Sequence, residues 1–429
     1  MIPRGRFHVS LTNLLKALIW LPFSNMENDD KVLEVKNIFN DKFGFQNSFF
    51  LSSCRISFLS ILEGLEIDSN SEVLLAPITI PDMVNAIRIS GHTPVFAELN
   101  KASHSLDIDS IEQSRTDKTK VVLLTYLSGF IPNVEEIKEY CDKKNLILVE
   151  DFSQLIGASY KGKPLGSFGD YAVASFSIGK TVTAQVGGAL IVNKRGNEAK
   201  NILAKAIENS MEAPKKSFFY SQLVENTKIE ILTSPLVFNL LTGPALKLVA
   251  KYFPDKYLGI HKSGVVNRFN EKDLFFDDIP IKRDKFKREL FFKFNNYMAK
   301  LLLRSIREWD ERKSKRADNL SYFLKEFGGS CPSYIGEGIF QKDVFPIRVA
   351  VNCRNPKLVQ LKLISHGIDT GTYGLNLCHR ESVFKDHETS LPVAEGIHKN
   401  CIFISLHEKV KKEDLARAIR VLKEVLVEN

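Results

Sequence analysis

Between Glu150 and Asn193 the chain carries an acidic pair, a glutamine, a serine and a lone lysine, each at or just past the end of an apolar run. The pair Glu150-Asp151 closes NLILVED, and Gln154 follows three residues later. Ser175 stands near the end of DYAVASFS, and Lys180 sits in a small, polar loop before Gly187-Gly188 opens ALIVN. In an open α/β sheet, ligands bind beyond the carboxyl ends of the strands, so these side chains are candidates for one site. A lysine there can form a Schiff base with a carbonyl. A carboxylate can pair with a pyridinium nitrogen and keep that ring protonated. Lysine plus acidic partner is the pattern of pyridoxal phosphate (PLP), where the cofactor is the electron sink and the protein supplies orientation. Taken singly, Asp151 reads as a strand-end cap and Lys180 as a solvated loop lysine. The order and spacing of the whole set point to the cofactor.

That set resembles the DegT/DnrJ/StrS family of PLP-dependent sugar aminotransferases. The family's EDAAQ-like motif reads here Glu150-Asp151-Phe152-Ser153-Gln154, and its GA-Y-G-GS-GD piece reads GASYKGKPLGSFGD. Its SF-x-x-x-K motif reads Ser175 to Lys180, and its GG-A-V-TN element reads GGALIVN. The resemblance implies that Lys180 makes the Schiff-base link and shuttles the proton. It also implies that Asp151 pairs with the pyridine nitrogen, that Gln154 lies near the ring hydroxyl and that Ser175 binds the phosphate.

The elements that must position these residues are legible as alternating apolar runs and helical patterns from residue 70 to 193, the mark of an α/β sheet. VVLLTYL is a near-continuous apolar run, as a parallel strand covered on both faces requires. Upstream, Ser52 and Ser53 precede an apolar-periodic stretch, an N-cap pattern. A helix N-terminus offers backbone N–H groups to a phosphate. Ser53, Cys54 and Arg55 are therefore candidate phosphate contacts, although the family has a G-T-x-A-L type motif here and this chain has Cys54-Arg55-Ile56-Ser57-Phe58. EVLLAPITIPDMVNAIRISGHTPVFAELN reads strand, loop, helix ending at Gly91, strand. Ile80 stands where the family carries an aromatic residue that stacks on the cofactor ring.

Residues 1 to 24 read as an arm and a short helix with Leu14, Leu15, Leu18 and Ile19 on one face. Residues 200 to 290 hold an apolar segment, ILTSPLVFNLLTGPALKLVAKYF, interrupted by Pro235, Gly243 and Pro244 and followed or flanked by Lys247, Lys251, Lys256 and Lys262. A basic amphipathic segment of this kind reads either as a helical insertion packed on the protein or as a surface for an anionic membrane, with contact through residues 229–262. A long helical pattern, FKRELFF to LKEF, occupies the place of the family's N-Y-R-M-x-E-L stretch; by resemblance Asn296 would reach the phosphate of a partner subunit. Residues 344 to 429 read strand, helix, loop, strand, helix, and TGTYGLNLCH lies where the family has TG-HY-PLH, placing Tyr373 and His379 on the substrate side.

A chain of 429 residues supports a large core and two lobes. With 44% hydrophobic and 26% charged residues, disorder is excluded as its main state. The net charge of +8 suits anionic ligands such as nucleotide-sugar diphosphates, and equally a membrane surface. No basic block is interleaved with aromatics as a nucleic-acid site requires. Six scattered cysteines lack CxxC or metal-type spacing and read as reduced and cytosolic, with no metal site. ALIWLPF is too short for a signal peptide with its cleavage site, and no stretch reaches the ~20 apolar residues of a spanning helix.

The resemblance implies an aspartate-aminotransferase-type (fold type I) α/β architecture, with a seven-stranded, mainly parallel large domain and a smaller C-terminal α/β domain. The expected division is an N-terminal arm and helices over 1–49, the large PLP-binding domain over 50–290 including the insertion, and the small domain over 291–429. The expected function is transfer of an amino group, from glutamate, to a keto group of a nucleotide-linked sugar. It would be carried out by a homodimer in the cytoplasm or at the inner face of the membrane, in surface polysaccharide or amino-sugar biosynthesis. The alternatives are a PLP-dependent sugar dehydratase, against which Lys180 argues because such relatives have histidine there, and a non-catalytic, membrane-peripheral binding protein.

Overall fold

The computed structural model describes residues 1–260, 280–328 and 343–427; Lys262 and Cys331 lie outside the described residues. Its helices are α1 (Leu11–Trp20), α2 (Val32–Phe43), α3 (Cys54–Gly64), α4 (Pro81–Ile89), α5 (Ile108–Ser114), α6 (Val134–Lys143), α7 (Asn197–Glu208), α8 (Lys216–Leu232), α9 (Pro235–Val237), α10 (Gly243–Tyr252), α11 (Pro254–Gly259), α12 (Asn296–Arg307), α13 (Trp309–Phe323), α14 (Pro356–Ser365), α15 (Pro392–Asn400) and α16 (Lys412–Val427). Its strands are β1 (Ser48–Leu51), β2 (Glu72–Leu75), β3 (Ile78–Thr79), β4 (Thr93–Phe96), β5 (Thr119–Thr125), β6 (Ile147–Asp151), β7 (Ser159–Tyr160), β8 (Lys163–Pro164), β9 (Tyr171–Ser175), β10 (Gly188–Val192), β11 (Arg348–Asn352), β12 (Asn376–Leu377) and β13 (Cys401–Ser405).

Seven strands form one sheet in the order β1-β10-β9-β6-β5-β2-β4. The β9-β6-β5-β2-β4 part is parallel, while β10 runs against both β9 and β1. The fold is thus a mainly parallel seven-stranded sheet with helices, consistent with fold type I. The VVLLT run of β5 is buried throughout because both faces of the sheet are covered. Strand direction decides what meets at the site edge. Thr125, Asp151 and Ser175 end β5, β6 and β9 at the same edge. Reversed β10 begins there at Gly188, and β1, reversed again, ends there at Leu51. The chain then enters α3, so the N-terminus of α3 opens at that edge too.

Ser53 caps α3, its hydroxyl accepting from the Ile56 N–H, as the serine pair suggests. Nearly every α3 residue is buried, and its Ser57 and Ser60 hydroxyls remain satisfied by donating to the carbonyls of Ser53 and Ile56. At its C-terminal end, Gly64 lets α7 close in; a Cβ there would stand 2.5 Å from the Ile202 Cα. In the C-terminal part, β11 pairs with β13. β12 reaches across to β3, setting Asn376 beside Thr79 and Leu377 beside Ile78.

Two expectations are corrected. First, α1 buries Leu14 and Ala17 but exposes Leu15 (46%) and Ile19 (64%). It is apolar nearly all round, so packing against α8 rather than periodicity chooses its inner face. Second, the single long helix expected after residue 285 is divided. Asn295 caps α12 by accepting from the Met298 N–H and donating to the Met26 carbonyl, and Glu308 separates α12 from α13. LPVAEGIHKN, to which the sequence reading assigned no element, forms α15, its Val393 and Ala394 N–H groups held by Glu98. Among the described residues, no single helix is long and apolar enough to cross a membrane; α8 and the segment Pro235–Tyr252 form a pair bent by 52°.

Candidate active site

Alternation along β6 sends neighbouring carboxylates to opposite faces. Glu150 is fully buried and accepts from the Tyr126 hydroxyl at 2.6 Å and from the N–H groups of Gly166 (2.8 Å), Phe168 (2.7 Å) and Gly169 (2.6 Å). Burial raises its pKa against those four donors, and raises that of Tyr126 further still, aided by the neighbouring carboxylate. Glu150 thus anchors the turn that returns the chain to β9. Asp151 is half-buried at the site edge and accepts from the Ser153 N–H at 3.0 Å. Ser153 in turn meets Cys54, with Sγ and Oγ 3.5 Å apart, so the end of β6 touches the first residue of α3.

Gly188 makes that convergence possible from the other side. A Cβ at this position would stand 2.4 Å from the Cys54 nitrogen and 2.5 Å from the Ser53 carbonyl carbon. Ser53 also bridges to Gly187, whose φ of +116° favours glycine. Ser175 lies opposite Gly188 in the sheet, and its hydroxyl accepts from the Ser177 N–H and donates to the Ser177 hydroxyl. Ser53, Ser175 and the amino end of α3 therefore share one corner, a helix terminus with hydroxyls, suited to an anion.

The loop bearing Lys180 is pinned at both ends. Ser177 bridges to Gln185, the Lys180 N–H donates to the Ser177 carbonyl at 3.0 Å, and the Thr183 N–H donates to Ser305 of α12. Lys180 itself is half-buried, and its ammonium forms no ion pair among the described residues. Gln154 accepts from the Ser128 N–H at 3.0 Å, fixing the turn at Ser128 (φ +59°) beyond β5.

The other expected residues are placed as follows. Ile80 precedes α4, partly buried against the core and beside the β3–β12 pairing. Arg55 is buried and ion-paired with Asp82, which also accepts from Arg283 at 2.7 Å and from Asn85 at 2.9 Å. Its charge is therefore compensated inside the protein rather than offered at the corner formed by Ser53 and Ser175. Asn296 accepts from the Lys31 N–H at 2.8 Å and donates to Asp30, so within this chain it serves the start of α2. Tyr373 is buried, its hydroxyl 2.8 Å from His104 Nδ1. His104 stacks on Phe130, two residues beyond the Ser128 that Gln154 holds, so Tyr373 is linked to that turn. Burial pushes the Tyr373 hydroxyl up and His104 down to about 4. His379 turns to Glu395 at 3.2 Å and to Phe96, apart from these contacts.

Sequence reasoning passed over His104, Ser128, Asp82 and Arg283. Only the non-glycine left-handed positions in HSL and LSGF carried a local signal, and that signal is backbone conformation rather than residue type. The donor set fits PLP: a carboxylate at a strand end, a lysine without a counter-ion among the described residues, and a hydroxyl-lined helix terminus cleared by a glycine.

Comparison with known proteins agrees with this geometry. A model of the DegT/DnrJ/EryC1/StrS aminotransferase family matches residues 20–241 and 279–423. GDP-perosamine synthase of Escherichia coli O157:H7 is 33% identical over 161 residues, 37% of this chain and 44% of that protein. The chain thus spans less than half the length of this curated relative. Among solved structures, an aminotransferase from Psychrobacter cryohalolentis superposes with a TM-score of 0.70 at 17% identity, covering 99% of both chains. The PMP form of a putative sugar aminotransferase from Streptococcus pneumoniae gives 0.69 at 17% identity and 100% of both. At such identity these two establish the fold alone.

Proposed function

The chain belongs to the DegT/DnrJ/EryC1/StrS aminotransferase family, and on that premise we propose that it is a PLP-dependent aminotransferase acting on a keto group of a nucleotide-linked sugar. The observation that carries this reading is the meeting of Asp151, Ser175, the Lys180 loop and the amino end of α3 at one edge of the sheet, with Lys180 half-buried and not ion-paired among the described residues. When bound, PLP supplies an electron sink through which an amino group is taken from a donor and handed to the sugar.

In this proposal Lys180 is the residue that holds the cofactor covalently and then moves a proton at its Nζ. Asp151 holds the pyridinium nitrogen, Gln154 lies near the ring hydroxyl, and Ile80 covers the ring. Ser53, Ser175 and the backbone N–H groups of Cys54 and Arg55 in the first turn of α3 hold the phosphate. Tyr373, positioned by His104, and His379 face the sugar side. Glutamate is the proposed donor, and Asn296 the proposed contribution to a partner subunit in a homodimer. The proposed setting is the cytoplasm, at the inner face of the membrane, with peripheral contact through residues 229–262.

The test is an absorbance spectrum of the purified protein with PLP, before and after excess glutamate. The expected result is a lysine-linked cofactor band that gives way to a pyridoxamine phosphate band. Lys180→Ala should keep the fold by circular dichroism and lose both the band and turnover. A Lys180→Ala protein that still completes transamination would overturn the assignment.

A further inference from the structure

The bent helix pair that follows α7 presents an apolar surface that the rest of the chain does not cover. From Ile231 to Phe253 the side chains of Ile231, Leu232, Leu236, Leu240, Leu241, Leu248, Tyr252 and Phe253 are all exposed, with Leu236 at 71%, Leu241 at 67% and Leu240 at 66%. Large apolar residues at this density, on consecutive turns, mark an interaction surface rather than ordinary scatter. The stretch from Ile231 through Phe253 contains two lysines, Lys247 and Lys251, and no Asp or Glu. Glu230, which is buried, and Asp255 border it, Lys228 is paired with Glu225 at 2.5 Å, and Lys256 lies beyond Asp255.

The opposite side of the pair is fastened to the protein. Ala250 and Tyr257 pack with Ile364 of α14, supported by Leu246, Val249, Leu258 and Leu361. Phe238 and Gly243 are buried as well. A helix that crosses a bilayer meets lipid or other spanning helices around its circumference. Here one side is committed to the C-terminal part of the chain, and the 52° bend at Ser234-Pro235 divides the apolar stretch. This arrangement suits a segment lying in the plane of an interface, its apolar side sunk to headgroup and upper-chain depth.

We propose that this face docks on an anionic phospholipid bilayer, with Leu236, Leu240 and Leu241 entering the lipid and Lys247 and Lys251 meeting lipid phosphates. The proposal deepens the peripheral membrane contact in the functional reading above by naming the inserting residues and the lipid charge, and it does not depend on catalysis. Charge complementarity selects this occupant over a second copy. A two-fold contact through the same face would bring lysines together without a carboxylate between Ile231 and Phe253 to meet them, whereas an anionic bilayer supplies phosphates.

The experiment is co-sedimentation of the full chain with vesicles of phosphatidylcholine alone and of phosphatidylcholine with phosphatidylglycerol. The expected result is binding to the anionic vesicles, weakened by added salt. The combined variant Leu236→Ser, Leu240→Ser, Leu241→Ser should bind about tenfold less or weaker, with an unchanged circular dichroism spectrum because the replaced residues are exposed. The same variant should keep wild-type transamination on a soluble sugar nucleotide, so loss of vesicle binding and loss of activity are read separately. Wild-type protein that stays in the supernatant with both vesicle types overturns the proposal, as does a triple variant that binds undiminished. An oligomer that the triple variant dissociates, in a protein that ignores vesicles, overturns it in favour of a second copy.

Discussion

Glu150 and Asp151 are adjacent in sequence and unlike in what they do. Glu150 gathers four donors beneath the sheet, and Asp151 stands at its working edge. Replacing Glu150 by Ala strands those donors in a buried place, and urea unfolding should register a loss of about 3 kcal/mol or more. Asp151→Asn should leave the unfolding midpoint close to wild type, retain PLP, and lower the transamination rate about 10²-fold. The acidic pair was plain in the sequence, but the division of labour was not, because three of the donors come from Gly166 to Gly169 across a turn and the fourth is Tyr126 on another strand end. The role of His104 was not legible, since its partner Tyr373 lies 269 residues away. Its imidazole is held down to about 4 from 6.5 by burial, so it is neutral in the fold and takes up a proton on unfolding below 6.5. The stability it contributes is complete above pH 6.5 and is lost as the pH falls through 4, by up to about 3 kcal/mol. Stability measured at stepped pH should show a flatter acid limb in His104→Gln than in wild type.

Helix α3 is closely approached at both ends where a glycine leaves room, Gly188 of β10 at its start and its own Gly64 at its end, and the two contacts differ in consequence. Gly188→Ala would push against the backbone of Ser53 and Cys54, and Gly64→Ala against that of Ile202. Each should cost about 1–3 kcal/mol through overpacking. Only Gly188→Ala should also weaken PLP affinity, because it displaces the end of the helix that faces Ser175. Thermal melts with a cofactor titration separate the two effects. The cap of α3 was readable from Ser52-Ser53 because capping is local. The glycine contacts were not, since each partner lies more than a hundred residues away. α1 shows the same limit: a helix apolar on most sides carries no instruction about which side faces inward.

Across the whole molecule, the first residues, α8, α13 and the turn after β13 are tied by buried charges. His8 and Arg316 each meet Glu408 at 2.9 Å, Lys409 meets Glu230 at 2.8 Å, and Arg6 also pairs with Glu230. Arg316 has no exposed side-chain surface. Glu408→Gln would leave it buried beside a neutral amide, a loss of about 3–5 kcal/mol by equilibrium unfolding. Nothing in the local sequence announced this network, whereas the alternating apolar runs and the motif from Glu150 to Asn193 made the α/β sheet and the candidate lysine legible. Sheet order has a consequence in time. β1, at residues 48–51, has its partner in β10, at 188–191, with the whole parallel part of the sheet between them in the chain. Pairings so distant are slow to find, and synthesis runs from the amino end. A nascent chain that has emerged as far as Lys180 already carries its reactive amine but has no strand on which to seat Ser53 and α3. The corner that would hold the phosphate therefore cannot assemble before β10 has emerged, and a chain arrested before Gly188 should lack it.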